Sequence, residues 1–258
     1  MSLLEVSMDE YGVISLTLND PERRNPLSGA MQYEMLRELR KLRRQKGVRA
    51  VILTGAGKAF CAGGDIKAFG ETKPHANHAG MRASQELILE MEELPVPVIG
   101  AINGAAAGAG FALAMACDVL IAAESARFVP AFSAIGAVPD LGLAYTLQRS
   151  IGMHRTLDVL LGGKTLDAKS AMALGLVSEV VPDKEFNAQV RACAQRIAMG
   201  PTIALGYAKQ LIRSSQGTSL GVFLRLEANA QALAFSTDDF QEGVAAFVER
   251  RQARFSGA

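Results

Sequence analysis

Thr54-Gly55-Ala56-Gly57-Lys58-Ala59-Phe60-Cys61-Ala62-Gly63-Gly64-Asp65-Ile66 and Asn103-Gly104-Ala105-Ala106-Ala107-Gly108-Ala109-Gly110-Phe111 are the two stretches that decide the fold. Each follows an apolar run, Val48 to Leu53 in the first case and Val96 to Ile102 in the second. Such runs form strands buried on both faces. Each stretch then leads toward a helical pattern. Small residues at such a turn let a ligand approach the main chain, and the first turn of a helix leaves N–H groups without intrahelical acceptors. Two turns of this kind side by side can aim two N–H donors at one oxygen, which is what stabilises an enolate or another oxyanion.

Working outward, Val13 to Leu18 is a β-rich run closed by Asn19-Asp20-Pro21. Ser28 is placed to cap a helix carrying Met31, Met35, Leu36 and Leu39, with Gly47 as its stop. Residues 70–80 are polar, contain His75 and His78, and are expected to form a mobile loop before a helix from about Met81 to Glu93. A helix from Phe111 to Cys117 and a strand from Val119 to Ala122 follow, then the turn Ala137-Val-Pro-Asp-Leu-Gly142 and a helix ending near Gly162-Gly163. Beyond Pro182 the pattern is almost wholly helical. Ser236-x-x-Asp239 is a capping box for a last helix with Phe240, Val244, Phe247 and Val248 on one face. The repeated strand–turn–helix order predicts an α/β layered core. We divide the chain into a core of residues 1–195 and a helical region of residues 196–258, with no Ser/Gly-rich linker between them.

Composition excludes several classes. Of 258 residues, 49% are hydrophobic and 21% charged, and 27 basic residues face 26 acidic ones for a net charge of +1. No basic footprint for nucleic acid and no pull toward a membrane surface follows. The basic cluster from Arg37 to Arg44 reads as the solvated face of a helix. The apolar stretch from Val96 to Ala116 is broken by Pro97, Asn103 and glycines and is followed by Asp118, so it reads as a buried strand, turn and helix rather than a membrane span. Cys61, Cys117 and Cys193 are odd in number and widely spaced, which argues against a disulfide framework or a zinc site and for a reduced, cytoplasmic setting. Met1 to Glu5 has no signal-peptide pattern.

Competing motifs fail on spacing. Gly55-Ala-Gly57-Lys58 lacks the P-loop spacer and has Ala59 where Ser or Thr is needed. Residues 104–110 read G-x-x-x-G-x-G, not the dinucleotide fingerprint G-x-G-x-x-G. No G-x-S-x-G elbow occurs. His75 and His78 have no carboxylate cluster beside them, so no metal is expected, and His154 reads as a surface or subunit-contact residue.

The segments Val48 to Ile66 and Pro95 to Asp118 resemble the enoyl-CoA hydratase/isomerase, or crotonase, superfamily. Asn19-Asp-Pro-Glu-Arg-Arg-Asn-Pro-Leu27, Ala171 to Pro182 and Glu242 to Arg251 are similar to it as well, in the right order along nearly the whole chain. The resemblance implies an α/β fold of stacked ββα units with a C-terminal helical subdomain that packs a homotrimer or dimer of trimers. It implies an oxyanion hole at the N–H groups of Gly64 and Ala109, an acyl-CoA thioester as substrate, and no permanently bound cofactor beyond the coenzyme A of that substrate. It places coenzyme A against Ala62, Asp65 and Ile66, its phosphates near Arg23 or Arg24, and Phe247 and Arg250 of a neighbouring subunit on the adenine side. The two glutamates that hydratases of the family carry fall at Ala112 and Phe132 here, and neither moves a proton.

Asp140 falls where many isomerases of the family, including ring-epoxide isomerases of phenylacetyl-CoA breakdown, place a single acid. One carboxylate suffices for a double-bond shift, and an apolar pocket with Phe132 raises its pKa. The alternative is that Asp140 merely opens the following turn and helix. The favoured activity is enoyl-CoA isomerisation, with two others open: hydration in fatty-acid or aromatic-acid degradation, and a non-catalytic acyl-CoA or protein-binding role.

Overall fold

The computed structural model describes residues 2–66 and 74–258. Five strands alternate with helices early in the chain: β1 Leu4–Met8, β2 Val13–Leu18, α1 Gly29–Leu42, β3 Ala50–Gly55, β4 Ala59–Cys61, α2 Pro74–Glu93 and β5 Val98–Ile102. There follow β6 Ala105–Ala107, α3 Ala109–Met115, β7 Val119–Ala123, β8 Arg127–Val129, α4 Leu143–Ile151, α5 Met153–Leu161, β9 Leu166–Asp167, α6 Ala168–Ala173 and β10 Glu179–Val181. The chain ends in α7 Phe186–Ala198, α8 Thr202–Ser214, α9 Leu220–Phe235 and α10 Asp238–Glu249.

Two sheets result. One has the order β1-β2-β3-β5-β7-β10, parallel except for the β1–β2 hairpin. The other has the order β4-β6-β8-β9, with only β9 antiparallel. Side-chain alternation along the strands sorts the larger sheet into two faces. Ala50, Ile52, Ile99, Ala101, Ile121 and Ala123 face α7, meeting Phe186, Val190 and Ala194. Val51, Leu53, Val98, Ile102, Leu120 and Ala122 face the other way, into a core shared with Met31, Met35 and Leu39 of α1 and Leu87 and Met91 of α2. Each fully buried Leu, Ile or Met is worth about 1.5–3 kcal/mol relative to exposure, so this double burial fixes the order of the sheet.

The sequence-based expectations hold for the central strands and for the Ser28 cap, whose Oγ accepts from the Met31 N–H at 3.2 Å. Several elements differ. The helix capped by Ser28 stops at Leu42, before Gly47. Helix α2 begins at Pro74, so His75 and His78 lie on it rather than in a loop; residues 70–73 of the expected loop lie outside the described residues. The single helix expected before Gly162 is two, broken at Gly152, where φ is 80° and ψ 164°. The cap of α10 is Thr237, whose Oγ1 accepts from the Phe240 N–H at 3.1 Å; Ser236 Oγ donates to the Leu233 carbonyl instead. Helix α7 runs through residue 195, where we divided the chain.

The C-terminal segment after α10 folds back on the same chain. The Asp239 carboxylate accepts from the backbone N–H groups of Ser256 and Gly257, and the Arg49 guanidinium donates to the Phe255 and Gly200 carbonyls. Phe247 and Val248 on α10 remain 85% and 73% exposed.

Candidate active site

The two glycine-rich turns pack directly on each other. Strands β4 and β6 pair in parallel, Ala59 with Ala105 and Cys61 with Ala106. A side chain on Gly104 would collide with the Lys58 carbonyl, and one on Gly110 with the Cys61 carbonyl. A Cβ on Gly63, whose φ is +99°, would stand 2.7 Å from the Ala107 carbonyl oxygen and 3.6 Å from the Ala109 nitrogen. Glycine at these positions is therefore what lets the two main chains touch.

Two asparagines, which the sequence reading passed over, lace the turns together. Asn25 is fully buried at φ 56°, a left-handed conformation that Asn tolerates better than most residues. Its Oδ1 accepts from the Asp20 N–H at 2.9 Å, and its Nδ2 donates to the carbonyls of Ala56 and Ala59 at 2.9 and 2.8 Å. Asn103 reaches across from the second turn: Oδ1 accepts from the Gly55 N–H at 3.2 Å, and Nδ2 donates to the Gly55 carbonyl at 2.8 Å. The available signal was Asn beside Pro26 and beside Gly104, both turn-forming contexts.

These contacts set the surroundings of Gly64 and Ala109. Leu27 donates its N–H to the Gly63 carbonyl at 2.7 Å and forms a parallel bridge with Gly64. In such a bridge the N–H of Gly64 itself is turned away from Leu27. Ala109 is the first residue of α3, after Gly108 at φ 50° and ψ −119°, and the first N–H groups of a helix have no intrahelical acceptor. Among the described residues neither the Gly64 nor the Ala109 N–H has an acceptor. Gly108 is held in turn, its N–H on the Val129 carbonyl at 2.9 Å.

The flank of the second turn is apolar. Phe132 is 7% exposed, and its Cζ lies 3.9 Å from the Cβ position of Gly108. Ala112 is buried one helical turn along α3, and the Phe111 and Phe128 rings meet at a tilt of 53°, their centroids 5.3 Å apart. The structure thus brings Phe132 against Gly108 of the second turn.

Asp140 is half-buried, and its Oδ1 has no hydrogen-bond partner among the described residues. Burial pushes its carboxyl above the usual carboxylate range, against a smaller lowering effect of its own backbone N–H. It does not cap α4: the N-cap there is Gly142, without a side-chain hydrogen bond. The carbonyl of Asp140 accepts from the Leu143 N–H at 2.9 Å, closing a turn in which Leu141 has φ 47° and Gly142 φ 77°. A left-handed conformation at a non-glycine residue costs about 1–2 kcal/mol, an amount that functional sites commonly store.

The residues expected near coenzyme A divide into two groups. Arg23, Arg24, Ala62, Asp65 and Ile66 come together at the edge of the first turn. The Arg24 carbonyl accepts from the Ala62 N–H at 2.9 Å, and Arg23 pairs with Asp65 at 2.6 Å and with Asp20 at 3.5 Å. The hydrogen bond to Asp65 holds the Arg23 guanidinium above its ordinary pKa. Ile66 is 60% exposed beside them. Phe247 and Arg250, by contrast, stand on α10, exposed to solvent in their own chain, with Arg250 closing the helix at φ 55°. His75, His78 and His154 are helical residues, and among the described residues no three metal-ligating side chains converge.

A parallel sheet backed by helices, with two main chains in contact at paired glycine turns, defines an α/β fold with a candidate site lined by backbone. The family model for enoyl-CoA hydratase/isomerase matches residues 9–258. The chain is 40% identical over 253 residues to the 1,2-epoxyphenylacetyl-CoA isomerase of Escherichia coli strain K12, covering 96% of each. It is 34% identical to the 2,3-dehydroadipyl-CoA hydratase of the same organism, covering 100% of both. Among solved structures, an enoyl-CoA hydratase from Bacillus anthracis superposes with a TM-score of 0.94 at 33% identity, over 99% of this chain and 100% of that one. The chain belongs to the enoyl-CoA hydratase/isomerase family and has the crotonase fold. Acyl-CoA thioesters are the substrates of that family.

Proposed function

We propose that the chain is an acyl-CoA isomerase that shifts the double bond of an enoyl-CoA through a thioester enolate, with Asp140 as its one acid–base. Asp140 takes a proton from C2 of a 3-enoyl thioester. The electron pair moves into the C1 carbonyl, and the resulting dienolate carries its charge on the thioester oxygen. The N–H groups of Gly64 and Ala109 donate to that oxygen. The same carboxyl returns the proton at C4, leaving the double bond between C2 and C3. Nothing else is consumed, so a single titratable group suffices.

The observation that carries this proposal is the half-buried carboxylate of Asp140, raised in pKa by burial and with no hydrogen-bond partner for Oδ1 among the described residues, in a chain whose expected hydratase positions hold Ala112 and Phe132. The N–H groups of Gly64 and Ala109, without an acceptor among the described residues, and the 40% identity to a relative named as an isomerase support it. Hydration is the second candidate, favoured by the relative named as a hydratase at 34% identity, and it requires one carboxyl to serve both water and carbon.

In this account Ala62, Asp65 and Ile66 bind the adenine and pantetheine parts, and Arg23 or Arg24 the phosphates. Phe247 and Arg250 reach a neighbouring subunit's ligand in a homotrimer or dimer of trimers, packed by residues 196–258 against cores of residues 1–195. The apolar, exposed face of α10 supports that arrangement. Three free, buried thiols accord with a reducing cytoplasmic setting.

The test is a screen of 2-enoyl, 3-enoyl and aromatic-ring CoA thioesters in deuterium oxide, read by product identity. Double-bond migration with deuterium at C2 or C4, lost in Asp140→Asn, supports the isomerase. A 3-hydroxyacyl product from a 2-enoyl thioester, retained in Asp140→Asn, refutes it.

A further inference from the structure

The turn after Asp140 is built from a residue ill suited to it. Leu141 and Gly142 are its central pair, both at positive φ, at 47° and 77°, and Gly142 has ψ 10°. This is the type I′ geometry, for which Asn-Gly and Gly-Gly are the comfortable choices. A connection that needed only to turn would do better with Asn or Gly at position 141. What Leu contributes is its side chain, 4% exposed and packed in the main hydrophobic cluster. The buried side chain holds a backbone conformation that the residue itself resists.

We propose that Leu141 is a positioning residue, whose buried side chain locks this turn and thereby keeps the Asp140 carboxylate away from the start of α4. An Asp just before a helix ordinarily swings onto the free N–H groups of the first helical turn. Here the turn inserts Leu141 and Gly142 between Asp140 and Leu143, Gly142 takes the cap position, and Asp140 Oδ1 is left without a partner among the described residues. With the anchor removed, the carboxylate is free to reach those N–H groups or water. Either partner lowers its pKa and turns it from the site. Leu141 acts in this way only if Asp140 is the acid–base, so both are tested in one series.

The probe is trans-3-hexenoyl-CoA in deuterium oxide, with kcat, KM and the pH dependence of kcat measured for wild type, Leu141→Gly, Leu141→Ala, Leu141→Met and Asp140→Asn. The two truncations are expected to lower kcat by roughly tenfold or more, since small misplacements of a catalytic group are costly. KM should stay within about twofold, and the acidic limb should move to lower pH. Leu141→Met, which restores the buried anchor, should match wild type in all three. A merely structural role would lower the melting temperature without moving the acidic limb. Leu141→Ala, the milder truncation, carries the test if Leu141→Gly does not fold. A folded truncation with wild-type kcat and an unmoved limb overturns the positioning role. Wild-type exchange in Asp140→Asn overturns the acid–base role itself, whatever the Leu141 variants do.

Discussion

Replacing Gly63 by Ala asks whether the contact between the two turns is what creates the site. Two costs add. The residue sits at φ +99°, where an L side chain is strained by about 1–2 kcal/mol. Its new methyl group would also stand 2.7 Å from the Ala107 carbonyl oxygen, a backbone atom that yields only if β6 moves. Overpacking of this kind costs about 1–3 kcal/mol. The sum, about 2–5 kcal/mol, corresponds to a fall of roughly 5–15 °C in melting temperature for a chain of this size. Because the same methyl group would lie 3.6 Å from the Ala109 nitrogen, relief of the clash also separates the two candidate donors. Loss of one such donor typically lowers kcat about 10²–10³-fold. Gly175→Ala is the control: φ there is +82° with nothing within 4 Å, so it carries the backbone strain alone. Calorimetry gives the stability difference between the two variants, and turnover of trans-3-hexenoyl-CoA gives the functional one. If Gly63→Ala melts with Gly175→Ala and turns over like wild type, the turn contact does not build the site.

Further outcomes follow from the charged groups. Asp140 has a raised pKa in the folded state, so its contribution to stability is fully present below about pH 4 and is lost as pH rises through the folded value. Asp140→Asn should therefore melt higher than wild type at neutral pH, with the difference vanishing near pH 4 or below; an equal or lower melting temperature at pH 7 contradicts the burial argument. Asp118 accepts from Val98, Lys209 and Arg213 at 2.8, 2.9 and 2.6 Å, and the Lys209 side chain is 5% exposed. Asp118→Ala strands those cations and should cost about 3–5 kcal/mol in a urea titration, whereas a loss under about 1 kcal/mol would show that the cluster is solvated. The hydrogen bond from Arg251 depresses Glu242 to about 2, so its hold on the C-terminal segment is present above the ordinary carboxylate value and fails as pH falls toward 2. Glu242→Gln should mimic that loss at pH 7, speeding carboxypeptidase release of the last residues several-fold; an unchanged rate would show that Asp239 and Arg49 secure the segment without Glu242.

The centre of the larger sheet was legible because β3, β5 and β7 are continuous apolar runs, and nothing but double burial explains a run such as Val98–Ile102; its outer strands β1 and β10 carry no such run and were not read. The smaller sheet was not. Its strands β4, β6 and β8 are three residues long and β9 is two, and β6 is Ala105-Ala-Ala107, a composition with little β propensity. Such strands exist because distant segments supply their partners, which no local pattern records. The start of α2 was hidden for a related reason, since His75 and His78 lie on a polar stretch that carries no apolar period. Thr237 and Ser236 were both competent caps, and the choice fell to the register that lets Asp239 grip Ser256 and Gly257. At the candidate site, the resemblance put forward Gly64, Ala109 and Asp140. The turn at Leu141 was not, because leucine carries no signal for positive φ. Nor were the clamps of Asn25 and Asn103, whose partners are main-chain carbonyls and N–H groups.

The most direct test of the central claim is a crystal structure of Asp140→Asn with trans-3-hexenoyl-CoA bound. The account predicts the thioester oxygen within about 2.7–3.1 Å of both the Gly64 and Ala109 nitrogens, the usual range for such donors. It also predicts the substituted side chain at position 140 beside the carbons C2 and C4, on the side of the acyl chain lined by Phe132. A thioester oxygen held by other donors, or a side chain at position 140 turned to solvent with the ligand in place, would contradict it.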